Sequence, residues 1–211
     1  MIRYEREPAE IYRQSFAIVK KEARLERFPE DLKPLVIRLI HSCGMTEIAD
    51  RIAFSANLFD RGRLAILSGA PILCDCEMVR SGIIQRNLPH VDQALCTLND
   101  DRVIGLARDL GTTRSAAAVE LWKPHIEGAV VVIGNAPTAL FHLLESLDRG
   151  SPKPAAILGF PVGFVGAAES KSALSANPRG CPFIALKGRK GGSAMASAAV
   201  NALAAGLEGH G

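Results

Sequence analysis

Four short apolar runs, each ending in glycine, constrain the fold of this chain most: LAILSG at 64–69, VVVIG at 130–134, AAILG at 155–159 and FIALKG at 183–188. None alternates polar with apolar residues, so a strand built from one has no face for water. Continuous runs of this length, separated by helix-length segments, indicate parallel strands covered on both faces. ALCTL at 94–98 is a weaker fifth run, and DDRVIGLARDLGTTRSAAAVELW, TALFHLLESL and SAMASAAVNALAAGL read as helices between and after the strands. The expectation is an α/β fold: a single domain over residues 1–211, with a mainly parallel sheet flanked by helices on both faces in a three-layer, Rossmann-like arrangement. RGSPKPAAI near residue 150 is turn-rich, but the same alternation continues on either side, so it marks a loop.

The N-terminal part reads differently. A first helix is expected over 8–27 and a second over 29–42. In the second, Leu32, Leu35, Val36, Leu39 and Ile40 recur at helical spacing on one face, and Pro34 sits early enough for the first turn. Thr46 can cap a third helix, EIADRIAFSANLF.

Composition narrows the function classes. Apolar residues make up 48% of 211, enough for a substantial core. A net charge of +3, from 25 basic and 22 acidic residues, is too even for a nucleic-acid partner. No apolar run is long enough to cross a bilayer, and the charged start MIRYEREPAE has no hydrophobic signal region behind it, so no membrane association and a cytoplasmic location are expected. The five cysteines are odd in number and read as small buried thiols; Cys74-Asp75-Cys76 lacks the second close pair or nearby histidine of a metal site, so no metal is expected.

In open α/β sheets ligands bind beyond the carboxyl ends of the strands. Three loops lie there: Gly134-Asn135-Ala136-Pro137-Thr138, the stretch with Gly159, Gly163 and Gly166, and Gly188-Arg189-Lys190-Gly191-Gly192-Ser193. Each combines backbone N–H groups with a helix start, a receptor for phosphate or carboxylate. The alternative is that the glycines only make tight turns. None of the loops carries the dinucleotide fingerprint GxGxxG or the phosphate loop GxxxxGK[ST], which counts against a nucleotide-dependent oxidoreductase. Arg114 heads a further helical segment.

Arg38 and His41 fall on the face of the second helix opposite Leu32, Leu35, Val36 and Leu39, three residues apart and therefore neighbours. His41 lies in the last turn, before Cys43-Gly44, where unpaired carbonyls favour a cation. Two readings stand: a solvated or helix-capping histidine, or an acid–base group. His142 lies in an apolar helix, and His90, His125 and His210 carry no pattern. The residues alone support an enzyme for an acidic small molecule, with the reaction open.

The chain resembles the precorrin-8X methylmutase family nearly end to end. The resemblance is carried by AEIYRQSFAIV, HSCGM, GAPILCDCEMV, TRSAAA, IGNAPTAL, PKPAAILGFPVGFVGAAESK and GRKGGSAM, in that order. It implies an isomerase of cobalamin biosynthesis that converts precorrin-8X to hydrogenobyrinate by a 1,5-sigmatropic shift of a methyl group from carbon 11 to carbon 12, with no cofactor. It implies that His41 is the catalytic group, giving a proton or hydrogen bond to the macrocycle, and that Ser15 and Arg38 contact the substrate. It also implies a homodimer with the ligand in a shared cleft. The acetate and propionate arms of such a substrate suit Arg38, Arg114 and Arg189. The alternatives are a cobalt-precorrin-8 methylmutase giving cobyrinate, and a non-catalytic tetrapyrrole carrier. Lys190, Cys74 and Cys76 acquire no role from the resemblance.

Overall fold

The computed structural model describes residues 2–206. Six strands form one sheet: β1 (Ile52–Phe54), β2 (Ile72–Cys74), β3 (Ala94–Cys96), β4 (Val130–Ile133), β5 (Ala156–Gly159) and β6 (Phe183–Leu186), in the order β1-β6-β5-β4-β2-β3. All neighbours are parallel except β1, which pairs antiparallel with β6 through Ile52–Leu186 and Phe54–Ile184. The mainly parallel three-layer expectation holds. β4, β5 and β6 are buried at every position, as continuous apolar runs require. Ile72, Val130, Val132, Leu158 and Ile184 face one core; Leu73, Val131, Ile133, Ile157 and Ala185 face the other.

The first core is roofed by α2 (Lys33–Cys43), α3 (Leu58–Leu67), α4 (Glu77–Gly82) and α9 (Ser193–Leu203), and the second by α6 (Arg114–Glu120), α7 (Pro137–Asp148) and α8 (Ala167–Ala176). The short α5 (Arg102–Asp109) packs on α6, and α1 (Pro8–Glu22) lies outside α2. Helix α1 ends at Glu22, short of the expected residue 27, where Ala23 turns extended and its N–H closes the helix on Val19 O; Arg27 lies beyond it. Its guanidinium donates to the carbonyls of Ala49 (3.2 Å), Asp50 (3.0 Å) and Ile52 (3.0 Å).

Two expectations are corrected. EIADRIAFSANLF is not a helix: Thr46–Arg51 is a 3-10 turn, 52–54 is the edge strand β1, and α3 begins at Leu58. Antiparallel pairing with β6 and the bonds from Arg27 supply partners that a helix would otherwise provide. LAILSG is not a strand. Its first four residues end α3, whose buried Leu58, Gly62, Ala65 and Ile66 follow a helical period while Leu64 is 61% exposed; the strand is Ile72–Cys74. Gly69, at φ +79°, closes that helix. Helix α9 follows the expected SAMASAAVNALAAGL as far as Leu203; Leu207 and the tail histidine His210 lie outside the described residues.

Among the described residues no helix is long and apolar enough to cross a membrane. Cys74, Cys76 and Cys181 are buried and free. Burial pushes the Cys76 and Cys96 thiols up to about 11.

Candidate active site

The site begins where α1 crosses α2. Tyr12, Ser15 and Phe16 share one face of α1, at helical spacing, and meet His41 on α2. The Ser15 hydroxyl oxygen is 2.8 Å from His41 Nδ1. The Tyr12 ring stacks on the imidazole with centroids 5.4 Å apart, and Phe16 meets it edge-on at 5.5 Å. The Arg38 guanidinium carbon lies 5.9 Å from the centre of the Phe16 ring. Sequence spacing put Arg38 and His41 side by side; only the fold adds the three α1 side chains.

The capping reading of His41 is not what the backbone uses. Gly44, at φ +69°, donates its N–H to Ile40 O at 2.8 Å, and the Ser42 hydroxyl donates to Leu39 O at 2.8 Å. The helix end is closed by its neighbours, leaving the imidazole to Ser15. Nε2 has no hydrogen-bond partner among the described residues, and the ring lines a groove of about 380 Å³ with Ile11, Ser15, Ile18, Ile40 and Thr46. A hydrogen bond at Nδ1 orients the ring and couples its tautomer to the Ser15 hydroxyl. With Ser15 donating, Nε2 carries the proton and can give it; with Nδ1–H donating, Nε2 accepts.

The three carboxyl-end loops are tied to one another. Phe160 N–H donates to Ile133 O (2.8 Å), Gly163 N–H to Arg189 O (3.1 Å) and Gly192 N–H to Phe160 O (2.8 Å). Gly191 fits because a Cβ there would stand 2.4 Å from Phe160 O. The expectation that the first loop offers free N–H groups is overturned. Gly134, Asn135 and Ala136 all donate to the carboxylate of Asp75, at 2.8, 2.9 and 2.7 Å. Asp75 follows β2, and β2 lies beside β4 where the strand order reverses, the crevice in which open sheets bind ligands. Here a buried carboxylate of the chain itself occupies that receptor. Burial pushes the Asp75 carboxyl up, and the three N–H bonds oppose this.

A second internal charge holds the other two loops. Lys171 on α8 is fully buried and donates to Pro161 O (2.8 Å) and Lys190 O (2.6 Å). The Lys190 side chain reaches Glu47 Oε1 (2.7 Å) and Met45 Sδ (3.2 Å), in the turn that follows His41. The β6 loop therefore abuts the histidine site.

Arg114 donates to Leu98 O (3.2 Å) and Asn99 Oδ1 (3.3 Å), at the carboxyl end of β3, and the Arg189 guanidinium carbon lies 5.5 Å from the centre of the exposed Phe164 ring, at the end of β6. Arg38, His41 and Ser15 are brought together. Arg114 and Arg189 are not: four strand spacings, roughly 19 Å, separate their strands. A concavity of about 670 Å³, lined by Arg80, Arg86, Leu88 and Val91 among others, opens by α4 and the start of β3, and no sequence signal marked it. Asp75 and Lys171 were also missed. Their only sequence trace is a charge set in an apolar or small-residue context, CDC and SKSAL.

The model of the precorrin-8X methylmutase family matches residues 10–205. The chain belongs to the precorrin-8X methylmutase family. It is 57% identical, over 97% of its length and 98% of the relative's, to a precorrin-8X methylmutase of Pseudomonas aeruginosa. It is 53% identical, over 95% and 96%, to that of a Sinorhizobium species. Relatives named cobalt-precorrin-8 methylmutase are 33–40% identical. The solved precorrin-8x methyl mutase of Thermus thermophilus superposes with a TM-score of 0.82 at 38% identity, over 93% of this chain and 94% of that one. The chain is thus a methylmutase, an isomerase of cobalamin biosynthesis.

Proposed function

We propose that this methylmutase converts precorrin-8X to hydrogenobyrinate, with His41 Nε2 presenting a proton or hydrogen bond to the macrocycle beside the migrating methyl group. One observation carries the reading: His41 is held at Nδ1 by Ser15, 2.8 Å away, Nε2 has no hydrogen-bond partner among the described residues, and the residue lines a groove. In a 1,5-sigmatropic shift the bond from the methyl to carbon 11 breaks as the bond to carbon 12 forms, and the ring π electrons relocate. Nothing is oxidised and no second reactant is consumed, so the chain needs no cofactor. Catalysis lies in selecting one tautomer and ring shape and in binding the re-conjugated ring more tightly than the substrate.

Arg38, Arg114 and Arg189 bind the carboxylate arms. Their spread along the sheet edge, roughly 19 Å between the strands of Arg114 and Arg189, suits a broad flat ligand. The substrate is the metal-free form, a reading supported by 57% and 53% identity to relatives carrying that name against 33–40% for the cobalt group. The protein works in the cytoplasm as a homodimer. The histidine groove is near the lower limit for even a drug-sized ligand. Beside it Tyr12 and Ile18 are 52% and 54% exposed, and on the loop after β5 Phe164 and Val165 are 83% and 89% exposed, apolar surface that a second subunit covers.

The test is turnover of precorrin-8X followed by absorption. The parent protein converts many equivalents; a change that stops at one equivalent marks a carrier and overturns the assignment. His41→Ala stays folded, because His41 is exposed and leaves no internal cavity, and loses about 10²–10⁴ in turnover. A folded His41→Ala with parental turnover removes His41 from the chemistry.

A further inference from the structure

Lys171 is a cation without an acid partner among the described residues, fully buried in a helix of small residues. Its two bonds go to backbone carbonyls of two different loops. Pro161 belongs to the loop after β5 and Lys190 to the loop after β6. Two pinned carbonyls follow the Arg189 Cα: its own accepts from Gly163 N–H at 3.1 Å, and that of Lys190 accepts from Lys171 at 2.6 Å. Gly191, the next residue, is pressed against Phe160 and Pro161 so closely that a Cβ would meet their carbonyl oxygens at 2.4 and 2.6 Å. Without a donor at Nζ the carbonyls of Pro161 and Lys190 lose the atom that both share, and the backbone after Arg189 loses one of its ties to the β5 loop.

We propose that Lys171 is a positioning residue: it fixes the β6 loop so that the Arg189 guanidinium stands ready for a substrate carboxylate over the Phe164 ring. This rests on the reading of Arg189 as a carboxylate ligand. Lys171 never meets the ligand, being covered by the loops it holds. Its contribution to binding is preorganisation, the loop entropy that the ligand no longer has to supply.

The experiment is a double-mutant cycle on hydrogenobyrinate binding, using Lys171→Met and Arg189→Ala in the full chain. Methionine keeps the length and apolar body of the side chain. It removes two hydrogen bonds and, with them, a buried cation whose pKa burial has lowered to about 8, so the variant folds. In the parent background Lys171→Met raises the Kd about tenfold. Arg189→Ala raises it about ten- to a hundredfold, as expected for a lost charge-assisted bond. In the Arg189→Ala background Lys171→Met changes the Kd less than about twofold, because the group it positions is gone. The KM of precorrin-8X follows the Kd, while kcat changes less.

Equal losses from Lys171→Met with and without Arg189 overturn the proposal, since a general structural role is additive. A parental Kd for Arg189→Ala means instead that the carboxylate reading of Arg189 has failed. If Lys171→Met does not fold, Lys171→Gln, which keeps one donor, takes its place in the cycle. If neither folds, Lys171 is a folding residue and its positioning assignment falls.

Discussion

Asp75 offers a sharp test of how this site is built. Its two oxygens accept three backbone N–H groups of one loop at 2.7–2.9 Å, and the side chain is buried. Asp75→Asn preserves shape. The amide oxygen can stay where Oδ2 was, keeping the bonds from Asn135 and Ala136, but its NH₂ then faces the Gly134 N–H, donor against donor. One charge-assisted bond, worth about 1.5–3 kcal/mol, is lost, and a buried N–H is left unsatisfied at a cost of about 1–3 kcal/mol. Against this, the variant no longer buries a carboxylate, and the upward push on the Asp75 pKa shows that this burial carries a cost. The net is about 2 kcal/mol of destabilisation, a fall in Tm of about 4–8 °C for a chain of this size. Calorimetry measures the shift, and amide exchange locates it: Gly134, Asn135 and Ala136 exchange faster while the β5 and β6 loops, held by Lys171, do not. A variant with the parental Tm and unchanged exchange at those three amides would refute the view that Asp75 is what holds the loop.

Arg38→Ala weakens hydrogenobyrinate binding about ten- to a hundredfold, and Arg38→Lys does not restore it, because a point charge cannot reproduce a bidentate fork; titration followed by absorption measures both. Cys76 and Cys96, with thiols pushed to about 11 by burial, resist iodoacetamide at pH 8, and mass spectrometry that finds them fully alkylated within minutes contradicts that environment. Lys171 gives a pH signature. The folded chain releases this proton near pH 8 and the unfolded chain near 10.5, so between those values the unfolded state holds more protons and stability rises with pH. Urea titrations at pH 8 and 9.5 show the parent gaining on the order of 2 kcal/mol relative to Lys171→Met, and parallel curves for the two proteins count against the buried cation.

What the sequence determined by itself was the part of the fold governed by local periodicity. The runs at 130–134, 155–159 and 183–188 are strands because a peptide that is apolar on both sides has only the middle of a covered sheet to go to. Arg38 and His41 share a face because helix geometry puts residues three apart together. Periodicity also explains the failures. Leu64–Leu67 looked like a strand when taken alone, and its helical register emerges only with Leu58 and Gly62 included. Ile52–Phe54 looked helical until β6, about 130 residues later, provided a pairing edge. The site depended on tertiary structure almost entirely. Ser15 reaches His41 across 26 residues, Asp75 reaches the β4 loop across about 60, and Lys171 reaches the β6 loop across 19. No local pattern encodes such partners. A charge buried at one place in the chain is stable only when the fold brings it the backbone groups it needs, and those groups look the same in every sequence. The resemblance of HSCGM and YRQSFAIV to one family pointed to His41 and Ser15; the packing of α1 on α2 brings the two together and holds the imidazole at Nδ1.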